Sequence, residues 1–151
     1  MQSQYEAGNV DVKPNSHTYN AVMNACAFTK VEEDKAEALI IAFRFFERLQ
    51  QQRGMHPDAY SYTIMLSVCA NLFPREDTER RFVNAKALFE KCCEQGYVND
   101  HVLRKLRQLV TEREYMYFVG SIEQSADRLP MNWTRNAVKG GRRVRRNGGR
   151  R

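Results

Sequence analysis

Pro14-Asn15-Ser16-His17-Thr18-Tyr19-Asn20 is followed 43 residues later by Pro57-Asp58-Ala59-Tyr60-Ser61-Tyr62-Thr63. The echo holds downstream at the same offset. Cys26-Ala27 returns as Cys69-Ala70, Ala42 as Ala85, Phe46-Glu47 as Phe89-Glu90 and Gln52 as Gln95. A period of roughly 20–50 residues marks a stacked array, in which no unit can bury its apolar face alone. Function in such an array belongs to exposed positions that recur from unit to unit, rather than to one isolated pocket.

Within each unit the apolar spacing is helical. Ser16 to Phe28 sets Tyr19, Val22, Met23 and Cys26 on one side, with Pro14 ahead and Asn15 or Ser16 as cap. Glu32 to Gln52 is a longer amphipathic stretch through Ala36, Leu39, Ile40, Phe43, Phe46 and Leu49. Acids crowd its start, and Gly54 and Pro57 close it. The second unit repeats the plan: a helix over Ala59–Asn71, a break at Pro74, and a helix opened by Asp77 or Thr78 and stopped by Gly96. A third unit starts at Asp100 with Val102, Leu103, Leu106, Leu109 and Val110 at helical spacing, and a short helix follows over Glu112–Val119. Leu129-Pro130 is expected to end regular structure, with Trp133 packing its indole back on the last helix. Nothing between the helices reads as a strand.

The expected fold is therefore all-α, an α-α superhelix (solenoid) of antiparallel helical hairpins with two clear repeats and a degenerate third. Its expected parts are a flexible lead-in at 1–13, repeats at 14–57 and 58–99, a degenerate repeat or cap at 100–120, an extension at 121–138 and a disordered basic tail at 139–151.

Composition narrows the function classes. The 151 residues are 42% hydrophobic and 28% charged, which suits a folded chain. No apolar run approaches the roughly 20 residues of a membrane span, so no membrane partner is expected. The first fifteen residues lack arginine and carry Glu6 and Asp11, unlike a secretory signal or a transit peptide. A cytosolic or nuclear chain, or a true N-terminus further upstream, is the corresponding expectation. The net charge of +6 is local: Lys139, Arg142, Arg143, Arg145, Arg146, Arg150 and Arg151 supply +7, leaving −1 on residues 1–138. A folded body of that charge is not drawn to nucleic acid by its net field. Cys26 and Cys69 read as core thiols of a reducing compartment, and the adjacent Cys92 and Cys93 as one buried and one boundary thiol. His17, His56 and His101 fall at different repeat phases with no partner cluster, and the acids sit where helix dipoles explain them. No enzyme activity, metal, cofactor or small-molecule substrate is expected.

Two stretches carry a resemblance. Thr18-Tyr19-Asn20-Ala21-Val22-Met23-Asn24-Ala25-Cys26, then Phe45-Phe46-Glu47-Arg48-Leu49, then Gly54-Met55-His56-Pro57-Asp58, resembles the pentatricopeptide repeat. Ser61-Tyr62-Thr63 through Ala87-Leu88-Phe89-Glu90-Lys91 to Gly96-Tyr97-Val98-Asn99-Asp100 resembles it too. The likeness spans roughly residues 14–104. It departs from the family in its long units, whose surplus falls at Phe28–Lys35 and Leu72–Arg80, and in Leu103-Arg104-Lys105 where Thr-Tyr-Asn is the family's pattern.

The resemblance implies single-stranded RNA binding, one base per repeat. It pairs Asn20 with Asp58, associated with uracil, and Thr63 with Asp100, associated with guanine, giving U-G from 5′ to 3′. It places His17 and Tyr60 as stacking side chains. At the third unit the corresponding residues are Val102 and Lys105, so no base is expected there, although Arg104, Lys105 and Arg107 suit phosphates. It also implies organellar RNA metabolism, in a mitochondrion or plastid.

Each position has a plainer account. Asn20 also suits a bond to nearby backbone, and Asp58 and Asp100 are ordinary helix caps. Arg142, Arg143, Arg145 and Arg146 suit either a salt-sensitive RNA arm or a nuclear address. The competing class is a helical-repeat scaffold that binds protein partners and has no RNA specificity.

Overall fold

The caps written into the sequence decide where helices begin. In the computed structural model, which describes residues 15–121 and 125–140, Asn15 Oδ1 accepts the Thr18 amide at 3.0 Å and opens α1 (Ser16–Ala27). A 3₁₀ turn at Glu32–Asp34 precedes α2 (Lys35–Gln51), so the three acids lie ahead of the helix rather than inside it. Asp58 and Ser61 form a reciprocal capping box at the start of α3 (Ala59–Leu72). Asp77 caps α4 (Thr78–Gln95), Asn99 caps α5 (Asp100–Leu109), and Thr111 with Glu114 boxes α6 (Glu112–Val119). Gly96 and Gly120 end α4 and α6 with φ of 77° and 91°, the left-handed conformation that favours glycine. All seven α-helices among the described residues fit an all-α chain, and no strand occurs among them.

Pro130 does not end regular structure. It stands just ahead of α7 (Met131–Gly140), where a missing N–H costs nothing because the first amides of a helix lack intrahelical partners. The helix docks on α4. Trp133 meets Phe89 edge-to-face at 5.8 Å, so the indole packs on α4 rather than on α6. The Gly96 carbonyl accepts the amides of Asn136 and Ala137 at 2.8 and 3.0 Å, while the Val98 amide donates to the Trp133 carbonyl at 2.9 Å. A Cβ at Gly96 would come within 2.7 Å of Arg135 Cγ, so that side chain would have to shift, and the positive φ favours glycine there in any case.

Packing centres on α3. It holds no charged residue, and Ser61, Tyr62, Ile64, Met65, Leu66, Val68, Cys69 and Leu72 are all buried. A helix apolar on most sides needs partners on most sides. It touches α1, α2, α4 and α5, and the first helices of the three units, α1, α3 and α5, follow one another in contact. A single core of buried side chains runs from Tyr19 to Leu129.

One charge lies inside this assembly. Arg81 is 7% exposed. Its Nε donates to the Leu109 carbonyl at 3.1 Å and one terminal nitrogen to the Gln108 carbonyl at 3.3 Å. The other terminal nitrogen donates to the Ala70 and Phe73 carbonyls at 3.1 and 2.9 Å. The last carbonyls of α3 and α5 thus share one guanidinium, favourable because both C-termini carry partial negative charge. Burial lowers the Arg81 pKa from its ordinary value, and the nearby Arg75 adds to this. The guanidinium nevertheless stays protonated.

Arg81→Met fills similar space but leaves these carbonyls without a donor. It is expected to cost about 2–4 kcal/mol of unfolding free energy. Urea denaturation measures this, and a loss below about 0.5 kcal/mol would show that the carbonyls find other partners.

Candidate functional site

Helical position, counted from each cap, organises the recurring residues. Asn15, Asp58 and Asn99 are the caps of α1, α3 and α5. The second residue of each helix is then His17, Tyr60 and His101, and the fifth is Asn20, Thr63 and Arg104. Two expectations change. The residue in the place of Asp58 is Asn99, not Asp100, because Asn99 Oδ1 accepts the Val102 amide at 2.9 Å. The third unit's residues are His101 and Arg104 rather than Val102 and Lys105, which puts His17 and His101 at the same phase. Val102 is buried in the core and Lys105 is half-buried.

The physical reason is unequal linkers. Six residues, Gln52–Pro57, join α2 to the cap of α3, with Gly54 in a turn beyond the helix end. Only three, Gly96–Val98, join α4 to the cap of α5, and α7 pins their backbone. Counting forward from the glycines therefore overshoots by one residue. Asp100 instead braces the chain beyond the third unit. Its Oδ1 accepts the Ala126 amide at 2.9 Å and holds the 3₁₀ turn Ala126–Arg128 against α5.

The first-unit pair is brought together. Asn20 is 5% exposed, and the Ser61 hydroxyl donates to its Oδ1 at 2.9 Å. The same hydroxyl oxygen lies 3.1 Å from Asp58 Oδ1, and it accepts the Asp58 amide at 3.1 Å. One hydroxyl proton serves only one oxygen at a time. Asn20 and Asp58 are consequently linked through Ser61: occupying the carboxylate with an outside donor frees the proton for the amide. Ser61 is not among the residues that the sequence alone singles out. Its sequence signal is its place three residues after Asp58, the reciprocal position of a capping box, matched by Thr18 three residues after Asn15.

The second-unit residues meet around a cavity of about 690 Å³. Asp58, Tyr60 and Thr63 line it from α3, Asn99 and His101 from the start of α5, and Asn136 from α7. Tyr60 is 57% exposed, unusual for a ring with a core beside it. The Thr63 hydroxyl donates to the Ala59 carbonyl at 2.8 Å, so its oxygen offers lone pairs to the cavity. Asn99 spends its carbonyl oxygen on Val102, which leaves its amide N–H groups for a ligand. His56 and Tyr97 also line it, and Tyr97 stacks between His56 and Tyr62 at centroid distances of 6.2 and 6.4 Å.

The remaining candidates are dispersed. His17 is exposed at the start of α1. Arg104 lies 3.3 Å from His101 Nδ1, and Arg107 stands over the Tyr115 ring at 5.7 Å. Arg142, Arg143, Arg145 and Arg146 lie outside the described residues. Burial pushes Cys69 and Cys93 up to about 12, so both are neutral thiols rather than nucleophiles at ordinary pH. Among the described residues, no group of three His, Cys, Asp or Glu side chains could hold a metal ion, and no helix is long and apolar enough to cross a membrane.

Neither a family model, nor a curated protein, nor a solved structure matches the chain.

Ser61→Ala removes half of the capping box and the partner of a buried amide together. The expected loss is about 1–2 kcal/mol, read by thermal or urea unfolding. Stability unchanged within error would mean that Asn20 and Asp58 do not depend on the hydroxyl.

Proposed function

We propose that the chain is a pentatricopeptide-type module that binds single-stranded RNA, with its units stacked as an α-α superhelix and one base held at each of the first two. The observation that carries this reading is the cavity of the second unit, where the exposed Tyr60 ring stands beside the uncharged hydrogen-bonding groups of Thr63 and Asn99. An aromatic face beside a mixed donor and acceptor edge suits a nucleobase, and stacking alone is worth roughly 1–3 kcal/mol per base. The contact of α1 with α3 and of α3 with α5 supports the stacked arrangement. The role in organellar RNA metabolism, in a mitochondrion or plastid, rests on the family resemblance alone.

The first base is read by Asn20 and Asp58 through their shared Ser61 and is assigned uracil. The second is read by Thr63 with Asn99 rather than with Asp100. A carboxylate only accepts, whereas an amide also donates, so guanine loses the residue on which its assignment rested. His17 and His101 flank the two bases from the outer sides, with Tyr60 between them. Arg104, Lys105 and Arg107 on α5 supply positive charge along the same helix. The basic tail that follows α7 serves as the salt-sensitive arm.

A specific observation favours the competing scaffold reading. Between α2 and α4 runs a groove of about 600 Å³, lined by Ile40, Phe43, Leu88 and Lys91 among others, with Ile40 57% exposed. An apolar groove of this kind suits a partner's side chains.

Fluorescence anisotropy with short RNAs, across salt, tests the proposal. Tyr60→Ala is expected to weaken binding roughly 5- to 100-fold, and Asn20→Ser to move first-base preference from U toward C. RNA binding that survives Tyr60→Ala and disappears only on deleting residues 139–151 would assign it to the tail and leave the folded body as the scaffold. Asn99→Asp is expected to change second-base preference, whereas Asp100→Asn leaves it alone. The reverse pattern would restore Asp100 to the reading pair.

A further inference from the structure

Most of the second cavity belongs to the repeat units, but one wall does not. Asn136 and Ala137 come from α7, beyond both repeats, and no part of the 43-residue echo anticipates them. The orientation of Asn136 is fixed by chemistry. Its Nδ2 lies 2.7 Å from the Gln95 carbonyl, which only accepts, so the nitrogen must face that oxygen. Its backbone amide is held by the Gly96 carbonyl at 2.8 Å. With side chain and main chain both anchored on the end of α4, Oδ1 has no bond to any described residue, and Asn136 is among the residues that line the cavity.

The three amide and hydroxyl groups around this cavity are then complementary. Asn99 presents N–H donors, whereas Thr63 Oγ1 and Asn136 Oδ1 present acceptors. An exocyclic amino group or ring N–H of a base is what an additional neutral acceptor would recognise. We propose that Asn136 is a third specificity-determining residue of the second base site, and that α7 converts an open repeat face into a walled nucleobase cavity. The proposal rests on the RNA-binding reading and adds to it a residue from outside the repeats.

The test uses the full chain with RNAs that vary only at the second base, and with a parallel set that varies only at the first. Trp133 is the sole tryptophan, and its contact with Phe89 reports whether α7 stays docked. In Asn136→Ala, Trp133 emission is expected to stay unchanged and second-base discrimination to fall about three- to tenfold, the worth of one neutral hydrogen bond. First-base preference is expected to persist. Unchanged second-base discrimination with α7 docked overturns the role of Asn136 and spares the RNA-binding reading. Should the variant undock α7, the wild-type Asn136 side-chain amide resonance decides: it is expected to shift on adding RNA, and a resonance unmoved at saturation rejects the proposal. A wild-type chain that binds no RNA removes both readings.

Discussion

A single guanidinium closes the ends of two helices that belong to different repeat units. Arg81 sits on α4, yet the carbonyls it serves lie at the C-termini of α3 and α5. No carboxylate among the described residues pairs with it, since the ion pairs formed there are Lys35–Glu32, Arg80–Asp77 and Lys86–Glu90. Its counter-charge is the summed dipole of two helix ends. That arrangement fixes distance and angle together, because a planar fork must meet carbonyls from two directions. It bridges the C-terminal ends of α3 and α5, which also pack directly on each other, and the second cavity opens between the opposite, N-terminal ends of the same two helices.

The two sites proposed for bases differ in kind. At the first, Asn20 is nearly covered, and Ser61 ties it to Asp58 with a proton that cannot satisfy both. A donor that engaged one of them would change what the other can offer, so the two behave as a pair. At the second, Thr63, Asn99 and Asn136 each spend one hydrogen-bonding function on backbone, which fixes what remains. That site is pre-set rather than coupled.

Most of the fold is legible because caps and stops are local signals. Asn15, Asp58, Gly96 and the short run from Glu112 to Val119 can be read from neighbours a few residues away, and the helices begin and end there. What escapes a reading of the chain depends on distant partners. Arg81 lies on the stripe of Ala85, Leu88, Phe89 and Cys92, so its helical phase places it inside. Only the carbonyls of Ala70 and Leu109 explain why a charge is tolerated there. Asp100 matches Asp58 only if the two glycines are equivalent anchors, yet α2 ends three residues before Gly54 and α4 ends next to Gly96. The helix after Pro130 is hidden from the sequence because its stabilising surface is α4, about forty residues earlier in the chain.

The clamp on the short linker also bears on how the molecule yields under load. The junction between the first two units is six residues long, and its internal backbone bonds are local, such as that from the Met55 amide to the Gln52 carbonyl at 3.2 Å. The junction after the second unit is half as long, and three backbone bonds tie it to α7. Pulled from its ends, such a chain is a spring of unequal coils. The first junction has only local bonds to give up, so under load it is expected to extend before the clamped one.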